Sequence, residues 1–274
     1  MDARFHQAES ALSSGDAKTF AYILDREPDL ATAYSHCSHP TLLQCLVLTM
    51  PPVAALEQLI ALLAERGAEL TDPLIAASGV DNVRAVTALL DRGGRIEGNG
   101  RWSPLEEALY WGNEATVAVL LERGATVSNL RVAAALARLD YMAQCVDEAG
   151  ALTPAAGKVA WPFFNKEIPD QVRRDRQQIV GNALVYAAAW GRTESAEMLI
   201  QRGAAINFIP AGFDFAGAPL HYAALQNRRS MVDWLLQRGA DPALRDTKIG
   251  NLPADWAAFA DHKDLADYLR SVRL

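Results

Sequence analysis

The sequence predicts an all-α protein built as a stack of helix-turn-helix units. A glycine tetrapeptide recurs six times, each time directly after an apolar helical run, as in residues 122–125 (Glu-Arg-Gly-Ala) and 237–240 (Gln-Arg-Gly-Ala). The glycine allows the left-handed backbone that ends a helix without a side-chain clash. A second signature, a short helix rich in small residues that opens with proline, stands upstream at residues 103–108 and 218–224. Such units grow by stacking, so we predict one repeat domain over residues 1–274.

Each unit is predicted to run from a first helix through a turn to a second helix and a glycine stop. The turn is clearest at Trp111-Gly112-Asn113 and Trp190-Gly191-Arg192, and the second helix carries apolar residues at helical spacing. We count about eight units, with residues 1–36 and 249–274 as caps. The units after the N-terminal cap begin near Pro40, Thr71, Trp102, Ser128, Asn182, Ala218 and Gly250.

The sequence resembles the ankyrin repeat family. The unit of that family reads Thr-Pro-Leu-His-x-Ala-Ala, then a glycine turn, an apolar helix ending in Leu-Leu, and Gly-Ala-Asp. The segment from Ala216 to Asp246 matches this pattern best, and the resemblance covers nearly the whole chain. It implies an ankyrin repeat solenoid with connecting hairpin loops and a role in protein–protein interaction.

The repeat is interrupted twice, and the scaffold requires neither interruption. The larger insertion spans residues 153–180, and its second half has helical spacing that would extend the following unit. It contains four candidate binding residues: Trp161, Phe163, Phe164 and Lys166. The smaller insertion, residues 207–217, contributes Asp214 and Phe215. Because the resemblance implies that hairpins project on the groove side, we expect the two insertions to form one patch.

The resemblance also implies that binding residues lie at hairpin tips and at the last two positions of each first helix. Those helix ends are Tyr110 and Trp111, Ala189 and Trp190, Leu225 and Gln226, and Phe259 and Ala260. Trp102, just before a first helix, joins them. We predict that Trp102, Tyr110, Trp111 and Trp190 form an exposed aromatic binding surface, since exposed clustered Trp and Tyr are typical of binding hot spots. The alternative is that these rings pack between repeats, which we prefer for Tyr186, Tyr222 and Trp256.

Three acidic residues accompany the aromatic set. Glu106, Glu107 and Asp214 would be the first candidates for catalysis if the protein were an enzyme, because paired carboxylates with aromatic walls occur in sugar chemistry. However, Glu106, His221 and Asp255 occupy the position of the family's histidine, which usually makes a structural hydrogen bond. For these three we favour the structural role.

Composition argues against several functional classes. The formal charge of −7 and a pI of about 5.3 disfavour nucleic acid and anionic membrane surfaces and favour a basic partner. We find no secretory signal or membrane span, and three unevenly spaced cysteines favour the cytoplasm. The Ala-rich, Lys-poor composition favours a bacterial source. We expect no cofactor and no metal, because His36, Cys37 and His39, with Cys45 nearby, match no established zinc spacing.

Two functional hypotheses emerge. The first is a protein–protein interaction module that recognises a partner through its groove, hairpin tips and the 153–180 insertion, as a regulator or as an inhibitor or immunity protein. The second is an enzyme or small-ligand binding protein, with carbohydrate as one ligand class, whose aromatic and carboxylate-containing pocket lies under the insertion. No catalytic motif supports the enzyme hypothesis. We retain it because the insertion is long enough to cover a pocket.

Overall fold

The computed structural model describes residues 3–35, 40–50, 53–160 and 168–272, and throughout these ranges the ordered elements are helices. An isolated antiparallel bridge between Val146 and Leu152 is the one strand-like feature of this part of the chain. The prediction of an all-α fold is therefore confirmed. The chain divides into two compact units, Met1–Thr126 and Val127–Leu274.

The first unit contains four pairs of helices among its described residues. The pairs are α1 (Ala3–Ser14) and α2 (Ala17–Arg26), α3 (Leu42–Leu48) and α4 (Leu56–Glu65), α5 (Thr71–Gly79) and α6 (Val83–Leu90), and α7 (Pro104–Trp111) and α8 (Glu114–Glu122). A 3₁₀ turn at Pro28–Ala31 follows the first pair. Residues 51 and 52, in the segment that we expected to separate α3 from α4, lie outside the described residues.

The second unit also contains four pairs, with one additional short helix, α11. Its helices are α9 (Leu130–Ala135), α10 (Leu139–Gln144), α11 (Asp170–Arg174), α12 (Arg176–Ala189), α13 (Thr193–Gln201), α14 (Pro219–Leu225), α15 (Arg229–Gln237), α16 (Pro253–Phe259) and α17 (Lys263–Ser271). A 3₁₀ turn at Pro154–Ala156 lies in the larger insertion.

The first helices of neighbouring pairs pack side by side in both units. Helix α5 lies between α3 and α7 in the first unit, and α12 lies between α9 and α14 in the second. Alanines on these faces are fully buried, among them Ala77, Ala108, Ala133, Ala188 and Ala223. Small side chains let the helices approach closely, which explains the small-residue signature of the repeat.

The predicted glycine stops are confirmed. Gly67, Gly93, Gly124, Gly150, Gly203 and Gly239 all have φ between 81° and 93°. At the turn inside each pair the left-handed residue is less uniform: glycine occupies it at 112 and 191, but Asp81, Ala137, Asn227 and Asp261 occupy it with φ between 51° and 61°.

In several pairs, the residue after this turn position ties the pair to the one before it in the same unit. In the first unit, Asn82 and Asn113 donate side-chain hydrogen bonds to the carbonyls of Val47 and Ser78, near the ends of α3 and α5. In the second unit, Arg192 Nε donates to Ala135 O and Arg228 Nε to Ala189 O, both at 3.0 Å. The last carbonyls of a helix have no partner within it, so these bonds satisfy groups that packing would otherwise leave unpaired.

The two insertions meet in the second unit, as expected. Asn182 Nδ2 donates to Ala211 O at 3.0 Å, and Ala211 N donates to Gln178 Oε1 at 2.7 Å. The second half of the larger insertion is helical, but it breaks at Asp175, whose side chain caps the next helix through Gln178 N. Helix α12 therefore begins at Arg176, so the end of the insertion extends the first helix of the following pair, as its helical spacing predicted.

Candidate functional site

The carboxylate of Glu107 is held between two tryptophans in the first unit. Trp102 Nε1 donates to Glu107 Oε2 at 2.6 Å, and Trp111 Nε1 donates to Oε1 at 2.9 Å. Tyr110 packs edge-to-face against both tryptophans, with ring centroids 6.4 Å and 5.1 Å away. The structure thus brings four of the predicted site residues into one cluster, which we call the indole–carboxylate cluster: Trp102, Glu107, Tyr110 and Trp111.

Helix α7 positions this cluster through its N-terminal cap. Ser103 caps the helix by accepting from Glu106 N, and the Glu106 side chain accepts in return from Ser103 N at 3.0 Å. This capping box fixes the first turn, so Glu107 and Trp111, four residues apart, share one helix face. Before the helix, Asn99 Oδ1 accepts from Trp102 N, which holds the Trp102 backbone next to the cap.

The capping box also decides between the two roles considered for Glu106. Its side chain is buried and bonded to backbone, as the structural role requires. Asp255 makes the same bond to Leu252 N, whereas His221 accepts from Ala218 N at Nδ1 and lies 3.3 Å from Asn251 O at Nε2. In all three repeats, the side chain at this position accepts a backbone N–H at the start of its own helix, as the structural role requires.

Glu107 lies over a glycine of the preceding helix pair. A Cβ atom at Gly79 would be 2.7 Å from Glu107 Oε1, so the bare backbone of α5 makes room for the carboxylate. Burial at this site raises the pKa of Glu107 above its ordinary value, while the hydrogen bonds from Trp111 and Trp102 oppose the rise.

The expected exposure of the aromatic set is correct for only one ring. Trp111 is 38% exposed, but Trp102, Tyr110 and Trp190 are all below 9%. Trp102 and Tyr110 pack on each other, and Trp102 also donates to Glu107. Trp190 is the C-cap residue of α12. These three rings are therefore buried, as are Tyr186, Tyr222 and Trp256.

The most exposed aromatic ring among the described residues lies outside the predicted binding set. Phe259, at the end of α16, is 84% exposed. It occupies the helix-end position that the resemblance associates with binding, so its position alone could have identified it.

Asp214 and Phe215 lie in the second unit, where a lysine connects them. Lys248 Nζ is 2.9 Å from Asp214 Oδ1 and 5.0 Å from the Phe215 ring centroid. Phe215 also packs edge-to-face on Trp256. The sequence did not point to Lys248, because it lies 34 residues away in an ordinary hairpin.

A cavity of about 330 Å³ opens between the two insertions in the second unit. Ile168, Pro169 and Val172 line it from one side, and residues 209–213 and 216 line it from the other, with Gln178 and Thr247. No described lining residue is an aspartate or a glutamate. Four predicted binding residues, Trp161, Phe163, Phe164 and Lys166, lie outside the described residues.

The described part of the chain contains no group of three or more His, Cys, Asp and Glu side chains arranged to hold a metal ion. His36, Cys37 and His39 lie outside it, while Cys145 is a buried free thiol. Burial raises the pKa of Cys145 to about 11. None of the helices in the described ranges combines the length and the apolar character needed to cross a membrane.

The two units differ strongly in charge. Met1–Thr126 contains nine Lys and Arg against 17 Asp and Glu, a formal charge of −8. Val127–Leu274 contains 17 Lys and Arg against 16 Asp and Glu, a formal charge of +1. The acidity of the chain therefore belongs to the unit that carries the indole–carboxylate cluster.

Comparison with known proteins relates the chain to one repeat family. Residues 172–246 match the family model of ankyrin repeats in three copies. Ankyrin repeat and SOCS box protein 6 is 40% identical over 83 residues in Mus musculus and 39% in Homo sapiens, and E3 ubiquitin-protein ligase hecd-1 of Caenorhabditis elegans is 36% identical over 96 residues. These matches cover 30%, 30% and 34% of this chain but only 19%, 19% and 3% of the relatives.

Proposed function

Because this chain is an ankyrin repeat protein, we propose that it binds a partner protein and that this partner is basic. Ankyrin repeats indicate a protein–protein interaction module. The observation that carries the basic partner is the formal charge of −8 on Met1–Thr126, against +1 on the rest. A surface of one sign attracts an oppositely charged partner and accelerates the encounter.

We assign the interface to the ends of the first helices, the hairpin tips and the 153–180 insertion. Support comes from the two rings exposed at helix ends, Trp111 in the first unit and Phe259 in the second. Exposed aromatic rings are frequent anchors of protein interfaces. The buried Trp102 and Tyr110 contribute by packing against the cluster that holds Trp111.

The finer form of the proposal is regulation or inhibition of a basic enzyme, including an immunity role. In that case binding would lower the activity of the captured partner at equimolar concentration. We also propose a cytoplasmic location, supported by the free thiol of the buried Cys145. A bacterial source stays a prediction from composition.

Affinity capture with matched variants tests the proposal. We would compare the wild type with Trp111→Ala, Phe259→Ala and a control, Tyr22→Ala, whose ring is 59% exposed on a second helix. A basic partner should be released by about 0.5 M salt, because screening removes the attraction between exposed charges. Recovery should fall with Trp111→Ala or Phe259→Ala and persist with Tyr22→Ala. If salt and all three substitutions leave the recovery of the partner unchanged, the proposal is contradicted.

The cavity between the insertions favours a second candidate function, binding of a small ligand. Its described lining residues are mostly apolar and include no carboxylate, which suits an apolar ligand better than a sugar. Methyl NMR with a fragment such as indole tests this. Signals of Ile168, Val172 and Ile209 should move together, whereas shifts spread over both units would argue against the site.

A further inference from the structure

The carboxylate of Glu107 has neutral donors on both sides and no cation beside it. Each of its oxygens accepts one indole N–H, and among the described residues no Lys or Arg pairs with it. An ionised carboxylate offers about four acceptor positions, so two remain. Among the described residues, no cation neutralises this charge, and two of its acceptor positions have no donor.

Other carboxylates of the same unit show how different this arrangement is. Asp25 pairs with Arg66 at 2.6 Å, Glu57 with Arg84 at 2.7 Å and Asp91 with Arg123 at 2.8 Å. These pairs are surface ion pairs made within the chain. Glu107 is instead fixed by two indoles, which leave its negative charge available to a cation from outside.

Trp111 provides the second half of a cation site. Its ring is 38% exposed, and its N–H holds Glu107 Oε1. A guanidinium group stacks on an indole face and also forms two parallel hydrogen bonds with a carboxylate, which an ammonium group cannot do with the same geometry. One free acceptor position on each oxygen of Glu107 matches that fork.

We propose that Glu107 and Trp111 form a receptor for an arginine side chain of the basic partner. This rests on the proposed function and names the chemical group recognised in the first unit. Trp102 and Tyr110 position the receptor from below, since both are buried and pack against it. Gly79 leaves the space in which the carboxylate sits.

Isothermal titration with an acetylated and amidated octapeptide of alternating Arg and Gly tests the receptor. Parallel titrations use peptides in which lysine or citrulline replaces arginine; citrulline keeps the shape of arginine but lacks its charge. The protein variants are Glu107→Gln and a control, Glu122→Gln, which removes one exposed charge elsewhere in the same unit. The arginine peptide should bind most tightly and the citrulline peptide should not bind.

The variants separate the receptor from general charge attraction. Glu107→Gln should weaken binding of the arginine peptide about tenfold or more, because a charged hydrogen-bonded pair is lost, while Glu122→Gln should change it less than about twofold. Equal weakening by both variants overturns the receptor but leaves the basic partner in place. Failure of both cationic peptides to bind at low salt overturns the basic partner as well. If circular dichroism shows that Glu107→Gln does not fold, Trp111→Phe replaces it in the comparison. The affinity for the arginine peptide should then fall about threefold or more, and an unchanged affinity overturns the receptor.

Discussion

Replacing Asp246 by asparagine should destabilise the second unit by about 2 to 4 kcal/mol. Its Oδ1 atom accepts from the backbone N–H groups of Lys248, Ile249 and Gly250 at 2.8 to 3.2 Å. Its Oδ2 atom accepts from Asn251 N and from Trp256 Nε1, both at 3.0 Å. An amide keeps one oxygen for the first three donors but turns an NH₂ group toward the other two. Each buried donor left without an acceptor costs about 1 to 3 kcal/mol, and some of that is recovered as the loop relaxes.

Urea unfolding followed by far-UV circular dichroism measures this loss. Asp140→Asn is the control, because Asp140 is exposed and makes a single long ion pair of 3.7 Å with Arg138, so it should change stability by less than about 0.5 kcal/mol. Combining Asp246→Asn with Trp256→Phe removes one of the two facing donors, so the double variant should be more stable than the sum of the single effects by about 1 kcal/mol. Additive losses, or an Asp246→Asn loss no larger than the control, would refute the reasoning.

The pH dependence of the same residue has a definite sign. Burial raises the pKa of Asp246, but the N–H groups of Ile249 and its neighbours and the Trp256 indole outweigh burial and hold the pKa below its ordinary value. The stabilisation is therefore present above the unfolded pKa, about 3.9, and is lost as pH falls through the lower folded value. The wild type should lose its advantage over Asp246→Asn only below about pH 4.

Three further predictions concern single residues. Gly79→Ala places a methyl group 2.7 Å from Glu107 Oε1, so the indole emission of Trp111 should change. The free energy of unfolding should shift by less than about 1 kcal/mol, because alanine also favours the helix, and unchanged emission would contradict the close approach. Ala137→Gly should raise stability by about 1 kcal/mol in urea unfolding, since alanine there has φ of 54°, whereas Gly112→Ala at the equivalent turn should lower it. Burial lowers the pKa of His221, so this imidazole takes up its proton at a higher pH in the unfolded chain than in the folded one. The free energy of unfolding should therefore decline as pH falls from about 6.5 to 5, and His221→Gln should remove this decline. An identical decline in that variant would count against a buried neutral imidazole.

The periodic part of the fold was predictable from sequence because local rules determine it. A glycine after an apolar run ends a helix whatever lies around it, which is why all six stops have positive φ. The start of α12 was not predictable in the same way, because Asp175 interrupts an otherwise helical stretch and caps the helix that begins at Arg176. That choice depends on a side-chain bond to Gln178 N as well as on spacing.

The candidate site was predictable only in its residue types and positions. The resemblance placed Trp102, Glu107 and Trp111 near one another, but their mutual hydrogen bonds decide which rings are buried. Sequence patterns do not show whether an aromatic residue at a helix end meets solvent or a neighbouring helix, as the buried Trp190 and the exposed Phe259 illustrate. The room that Gly79 makes for a carboxylate 28 positions away is a tertiary contact without a local signal.

The indole N–H signals in a two-dimensional NMR spectrum test the central claim most directly. The protein has six tryptophans, and among those in the described residues Trp102 and Trp111 report on Glu107, since both donate to its carboxylate. Titration with the arginine–glycine peptide should move these two signals, assigned through Trp→Phe variants, and should leave that of Trp256 in place. Binding of the peptide with both signals unmoved, or with Trp256 moving by the same amount, would contradict the account.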